Sequence, residues 1–387
     1  MDDTLGTVAS FDDVNDGIDL RLCLRIEAGR VVALEIANGR PAALLDVLRG
    51  RRADDVPALV QRLFPICGHA HALACAGAIA AARGEDSDRL GEQQRDLLWA
   101  ELAVAHGWRC LIDWPALLGR PPQLAALRQL MAVAARLRAL AQTAPLPGAG
   151  ERAAALNDLA AGLGHAVFGD RAPGAMHAAA LSAWVGAVAS PLHDLLRVVQ
   201  DSPLAGLRPP EVALLPMPAA AWFAARLSAD PAFGRHPHAD GLPAEVSAYA
   251  RCTRAERERF DMAGPVAARL LAMLGAAAAL IATLRGAGQG PLPAATANAC
   301  SPSSGSGCAV ADTVRGPLAY WVRLDEDRIA DLHAVAPTEW ALHPRGALHQ
   351  WLPGLPAEAA QHSARLAVAA VDPCAVTGIA LEGVANA

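Results

Sequence analysis

Two cysteines near opposite ends of the chain constrain its fold more than any other feature. Cys67 sits in Arg62-Leu63-Phe64-Pro65-Ile66-Cys67-Gly68-His69-Ala70-His71, and Cys374 in Asp372-Pro373-Cys374-Ala375-Val376-Thr377. Each reads as half of a metal-binding pair without its partner, because Phe64 and Thr377 stand three positions away. A site assembled from two separated halves needs the whole intervening chain folded between them. Thiolate sulfur is a soft ligand, so the expected site is core-buried and suited to a soft metal.

At 387 residues the chain is long enough for two domains or for one large irregular one. Hydrophobic residues make up 53% but aromatics only 4%, so alanine and leucine must fill the core. The net charge is -6 and the 33 Lys and Arg form no block, which argues against a nucleic-acid surface. The acidic start Met1-Asp2-Asp3, largely polar through Gly17, does not resemble a signal peptide. The longest apolar run, Leu270 to Leu284 between Arg269 and Arg285, falls short of the ~20 residues that span a bilayer and reads as a buried helix. The expectation is a soluble, cytoplasmic protein with no membrane partner. Its 8 cysteines, among which no CxxC occurs, should be reduced and mostly inert.

Ile18 to Ile26 alternates apolar and polar residues, Val31 to Ile36 follows, and Glu27-Ala28-Gly29-Arg30 splits them as a hairpin turn. Asn38-Gly39 marks another turn. From Asp54 the pattern is helical to about Thr143, breaks at Pro145 to Gly150, and resumes over Glu151 to Val199. Pro203 to Pro218 reads as a proline-rich loop, and Pro243 to Arg285 as helical. The Pro, Ser and Gly of 286–312 predict a flexible loop. Leu318 to Leu324 and Ile329 to Val335 predict a second hairpin, and Ala357 to Ala370 a last helix. The fold class expected is α+β, predominantly helical. A strand-rich part at 1–50, a helical bundle at 51–285 and a strand-containing part at 313–387 would form a single domain whose sheet joins the two chain ends.

At Cys374, Asp372 is a plausible N-cap and Pro373 suits a first helical position, which would put the sulfur in a first turn that favours thiolate. The plainer reading is a capped helix with a core cysteine. At Cys67, Gly68 allows close backbone approach. Cys67, His69 and His71 converge as a zinc site only if the segment is extended. In a helix, Cys67 and His71 share a face and His69 points elsewhere.

Taken together, these stretches resemble the large subunits of nickel–iron hydrogenases. Their first metal-binding region reads Arg-x-Cys-Gly-x-Cys-x-x-x-His. Here Arg62 matches the arginine, Cys67 the second cysteine and His71 the histidine, with Phe64 in place of the first cysteine. Their C-terminal Asp-Pro-Cys-x-x-Cys-x-x-His is matched by Asp372-Pro373-Cys374, with Thr377 and Ala380 in place of the second cysteine and the histidine. Val314-Arg315-Gly316-Pro317-Leu318 resembles their Pro-Arg-Gly-Ala-Leu segment, and Val335-Ala336-Pro337-Thr338-Glu339-Trp340 their Val-x-Pro-Thr-Thr-Trp-Asn segment.

In those enzymes four thiolates hold nickel and two bridge to iron. The resemblance therefore implies a non-enzyme without nickel, similar to the large-subunit-like accessory proteins of the HupK/HoxV type. It implies a scaffold or carrier for iron bearing carbon monoxide and cyanide, with hydrogenase maturation chaperones and the immature large subunit as partners. Cys67 and Cys374 would be the metal ligands. Arg315 and Thr338 would face the cyanides, Pro317 and Pro337 the carbonyl, and His71 would stand beside the group. Taken singly, Arg315 could equally be in a buried salt bridge to Asp372, Thr338 bonded to backbone, and His71 a core histidine held by a carboxylate. A chain that never receives nickel is expected to keep its C-terminus through Ala387. Two alternatives are a metal-free docking protein and a zinc hydrolase built on Cys67, His69 and His71.

Overall fold

A computed structural model of the chain describes residues 20–38, 44–85, 91–143, 148–170, 177–188, 190–289, 298–375 and 377–383. The glycine of the expected Asn38-Gly39 turn, residues 145–147 of the expected break and the stretch 290–297 lie outside them, as do both chain termini.

The alternating N-terminal segment forms the hairpin β1 (Leu20–Glu27) and β2 (Arg30–Asn38), and Leu20, Leu22 and Leu24 are fully buried. Three short strands, β3 (Ala213–Leu214), β4 (His238–Ala239) and β5 (Leu242–Glu245), form a small separate sheet. A four-stranded antiparallel meander follows: β6 (Asn298–Ser303), β7 (Ser306–Thr313), β8 (Gly316–Asp325) and β9 (Arg328–Val335). The last strand, β10 (Thr377–Gly383), pairs parallel with β1, Leu20 opposite Thr377 and Ile26 opposite Gly383. The sheet β10-β1-β2 thus joins the two chain ends, as expected.

Between the strand-bearing parts the chain is helical. The Pro265–Gln289 helix packs against Ala149–Phe168 and Ala357–Val371, with Leu270, Leu274, Ile281 and Leu284 buried. Among the described residues it is the one helix long and apolar enough to cross a membrane, and most of its apolar window is buried within the fold. The Gly68–Ala82 helix lies on the meander, its alanines Ala70, Ala74 and Ala78 packed against β7 and β8.

The stretch 286–312 departs from expectation. The Pro265–Gln289 helix runs into it, and residues 298–312 are strand rather than flexible loop. β7 reads Ser-Gly-Cys-Ala-Val-Ala-Asp-Thr and is buried along nearly its whole length. A strand covered on both faces shows no apolar–polar alternation, and small residues admit the helix closely, so its composition mimics a loop.

Candidate metal centre

The Val56–Leu63 helix ends at Phe64, and Cys67 occupies the N-cap position of the Gly68–Ala82 helix in a non-helical conformation. A Cβ on Gly68 would fall 2.7 Å from the Gln61 carbonyl oxygen, so only glycine allows the turn to close this tightly. The helix has no side-chain cap of its own. Instead Glu101, from the Glu92–Trp108 helix, accepts the backbone N–H groups of His69 at 2.7 Å and Ala70 at 3.1 Å. This carboxylate satisfies orphan donors, complements the helix dipole and so fixes the segment that carries Cys67. Burial raises the Glu101 pKa, while the two N–H donors oppose the rise.

Cys374 is presented differently from expectation. Asp372 closes the Ala357–Val371 helix instead of opening one, in a left-handed conformation (φ 50°, ψ 59°). Pro373 disfavours the right-handed helical region for the residue before it, and aspartate tolerates the left-handed one, so the same dipeptide that reads as a start acts as a stop. Cys374 then lies in the connection to β10, and its N–H donates to Thr338 Oγ1 at 3.0 Å. Thr338 belongs to the short Pro337–Ala341 helix that follows β9.

These connections bring the Cys67 and Cys374 sulfurs to 3.6 Å across 307 positions of sequence. Both residues are part-buried. The contact with Cys374, and then burial, raise the pKa of the Cys67 thiol, while the Arg315 charge works the other way.

A charged cluster backs the pair. Arg315, between β7 and β8, donates from Nε to the Asp372 carbonyl oxygen at 3.0 Å and pairs with the Asp372 carboxylate at 3.2 Å. Arg109, in the π-helical turn Arg109–Asp113, meets the same carboxylate and is almost fully buried. Burial works against the Arg315 charge, but Asp372 and the two cysteines outweigh it and raise its pKa. Asp113 lines the cavity beside this cluster. Burial and the nearby Asp372 push its carboxyl up to about 6, against Arg109 and the Trp108 indole N–H. Neither Glu101 nor Arg109 carries a recognisable motif. The only signal is an ionisable residue inside an apolar helical stretch, such as Gly107-Trp108-Arg109-Cys110-Leu111-Ile112.

Of the remaining expected site residues, Arg315 makes the buried ion pair to Asp372, and Thr338 accepts the Cys374 N–H. Pro337 opens the Thr338 helix and is buried. His71 is a buried histidine whose ring shares a 2.8 Å hydrogen bond with the Tyr320 hydroxyl. Phe64 stacks flat on His71, with centroids 3.9 Å apart. His69 lies 3.5 Å from the Gln61 side chain. Among the described residues no group of three or more His, Cys, Asp or Glu is placed to hold a metal, so Cys67, His69 and His71 do not form a zinc site. A cavity of about 1060 Å³ opens beside the sulfurs, walled by Ile66 and Gly68 from one half-site and Pro373 and Ala375 from the other, with Arg109 and Arg315 in its lining.

No family model matches the chain. It is 30% identical over 354 residues to the hydrogenase expression/formation protein HupK of Bradyrhizobium diazoefficiens, covering 86% of this chain and 88% of that protein. HupK of Rhizobium leguminosarum bv. viciae is 29% identical over 381 residues, covering 94% of this chain and 96% of its own length. HoxV of Cupriavidus necator is 29% identical over 364 residues, covering 88% and 90%. Among solved structures, a NiFeSe hydrogenase from Desulfovibrio vulgaris Hildenborough superimposes with a TM-score of 0.57 at 15% identity, over 90% of this chain and 94% of that one. An NAD+-reducing NiFe hydrogenase gives 0.50 at 17% identity, over 89% and 93%. The fold is therefore that of the nickel–iron hydrogenase large subunits, and by sequence the chain belongs to the HupK/HoxV family of hydrogenase expression/formation proteins.

Proposed function

We propose that this chain acts in hydrogenase maturation as a non-catalytic scaffold, holding iron that carries carbon monoxide and cyanide on Cys67 and Cys374 before transfer to the immature large subunit. The maturation role follows from the family. The observation that carries the iron reading is the sulfur pair 3.6 Å apart. With metal–sulfur bonds of about 2.3 Å, that separation corresponds to an angle of about 100° at one shared metal. Two thiolates suit low-spin iron, whose remaining positions take carbon monoxide and cyanide. They are too few for the four-thiolate nickel site of the enzymes, and Phe64 and Thr377 supply no sulfur.

Two guanidinium groups lie beside the pair: Arg109 and Arg315 both meet the Asp372 carboxylate, and Asp113 is close enough to feel both charges. The Arg315 guanidinium offers further donors in a rigid fork, and the cavity beside the pair gives cargo a route in and out. Maturation chaperones and the immature large subunit are the partners this role requires.

Infrared spectroscopy of protein made anaerobically alongside the maturation machinery tests the reading. Carbon monoxide and cyanide stretching bands are expected, and Cys67→Ala and Cys374→Ala should each lose them. Iron-free wild-type protein without bands, or variants that keep full band intensity, would overturn it.

A further inference from the structure

We infer that Cys67 and Cys374 are also a redox pair, and that a disulfide between them closes the centre when it is empty. The inference stands on the geometry of the pair and does not require that iron be its cargo.

The sulfurs are 3.6 Å apart, so a disulfide of ~2.05 Å needs them to approach by about 1.5 Å. The approach falls on the side-chain torsions of the two cysteines, because Glu101 fixes the backbone behind Cys67 and Thr338 holds the Cys374 N–H. Cys67 precedes the Gly68–Ala82 helix, and Cys374 lies in the connection between the Ala357–Val371 helix and β10. Both cysteines are only part-buried, and residues flanking each of them wall the 1060 Å³ cavity. By contrast Cys23, Cys75, Cys110 and Cys308 are buried. Cys300 stands opposite Cys308 across β6 and β7, which makes it the internal competitor to test against.

With oxidised glutathione as the oxidant, one cysteine thiolate attacks the small disulfide, forming a mixed disulfide and releasing one glutathione thiol. The second cysteine then attacks the cysteine sulfur of the mixed disulfide and expels the other glutathione. The two cysteine protons end on the two glutathione thiols. The pair is oxidised by two electrons and the small disulfide is reduced by two. The disulfide would tie the Gly68–Ala82 helix to the β10 connection and remove both thiolates, so an oxidised chain could take up no soft metal.

The test uses the full-length, metal-free protein without maturation partners, reduced, freed of reductant and exposed to oxidised glutathione. Thiol titration in denaturant should fall by two from the 8 cysteines of the chain. Peptide mapping should recover a species joining the Cys67 and Cys374 peptides, and dithiothreitol should reverse it. Cys67→Ser and Cys374→Ser should each lack that species. Mapping of wild-type protein alone decides the question if either variant folds poorly. Retention of all thiols, or a link formed only between Cys300 and Cys308, would overturn the inference. Because no iron is present, its failure is separate from the infrared result.

Discussion

Asp372 is wedged between the buried guanidinium of Arg109 and the part-buried one of Arg315, and its backbone sits in the left-handed region at the end of a helix. Removing its carboxylate strands two charges away from water. Asp372→Ala should therefore cost about 3–5 kcal/mol in urea unfolding, most of it from the unpaired arginines and not from lost attraction. A second residue makes stability depend on pH. The buried His343 accepts the Arg345 N–H at Nδ1, which requires a neutral ring. Burial, and then the Arg345 charge, push its pKa from 6.5 down to about 4. Between those values the unfolded chain binds more protons than the folded one, so the stability present above pH 6.5 drains as pH falls toward 4. His343→Asn keeps an acceptor without a titrating ring. In that window it should flatten the stability–pH curve by up to roughly 1.4 kcal/mol per pH unit, read as the difference from wild type.

At the scale of elements, the position of Cys67 depends on how closely the Gly68–Ala82 helix lies on β7. A Cβ on Gly307 would fall 2.0 Å from the Ala78 carbonyl oxygen and 2.4 Å from the Ala82 nitrogen. Both are backbone atoms, so the helix itself must move. Gly307→Ala should cost about 3 kcal/mol and lower the yield of the Cys67–Cys374 cross-link, since the displaced helix begins at Cys67. The same close packing explains why 298–312 was illegible as strand: Gly307, Ala309 and Ala311 are small because that helix covers them, while Cys308 faces a second cluster with Phe223. The hairpins β1–β2 and β8–β9 were legible. Turn residues mark both, and their apolar runs are long enough to show.

At the scale of the molecule, β10 closes the fold by pairing with β1, and the connection before it carries Cys374. Deleting Thr377 to Ala387 removes that neighbour of β1 and leaves the Cys374 segment without its downstream anchor. The truncated chain should melt at a lower temperature and lose the Cys67–Cys374 cross-link, while helical circular dichroism persists at low temperature. Full cross-linking in the truncated chain would mean that Thr338 and the two arginines hold Cys374 in place without the sheet.

The sequence by itself determined the helical middle, both hairpins, the last helix, and which cysteines belong together. Periodicity, turn residues and the half-motifs are local properties that one chain displays in order. Only the tertiary structure decided that Asp372-Pro373 stops a helix, that Arg109 shares Asp372 with Arg315, that Glu101 caps the helix behind Cys67, and that His71 answers to Tyr320. Apart from the Asp372-Pro373 stop, which is local, each of these contacts joins residues far apart in the chain, and each involves an ionisable or polar side chain placed where it must find a partner. Burial dictates that a partner exists, but its identity depends on which segments the packed core brings side by side.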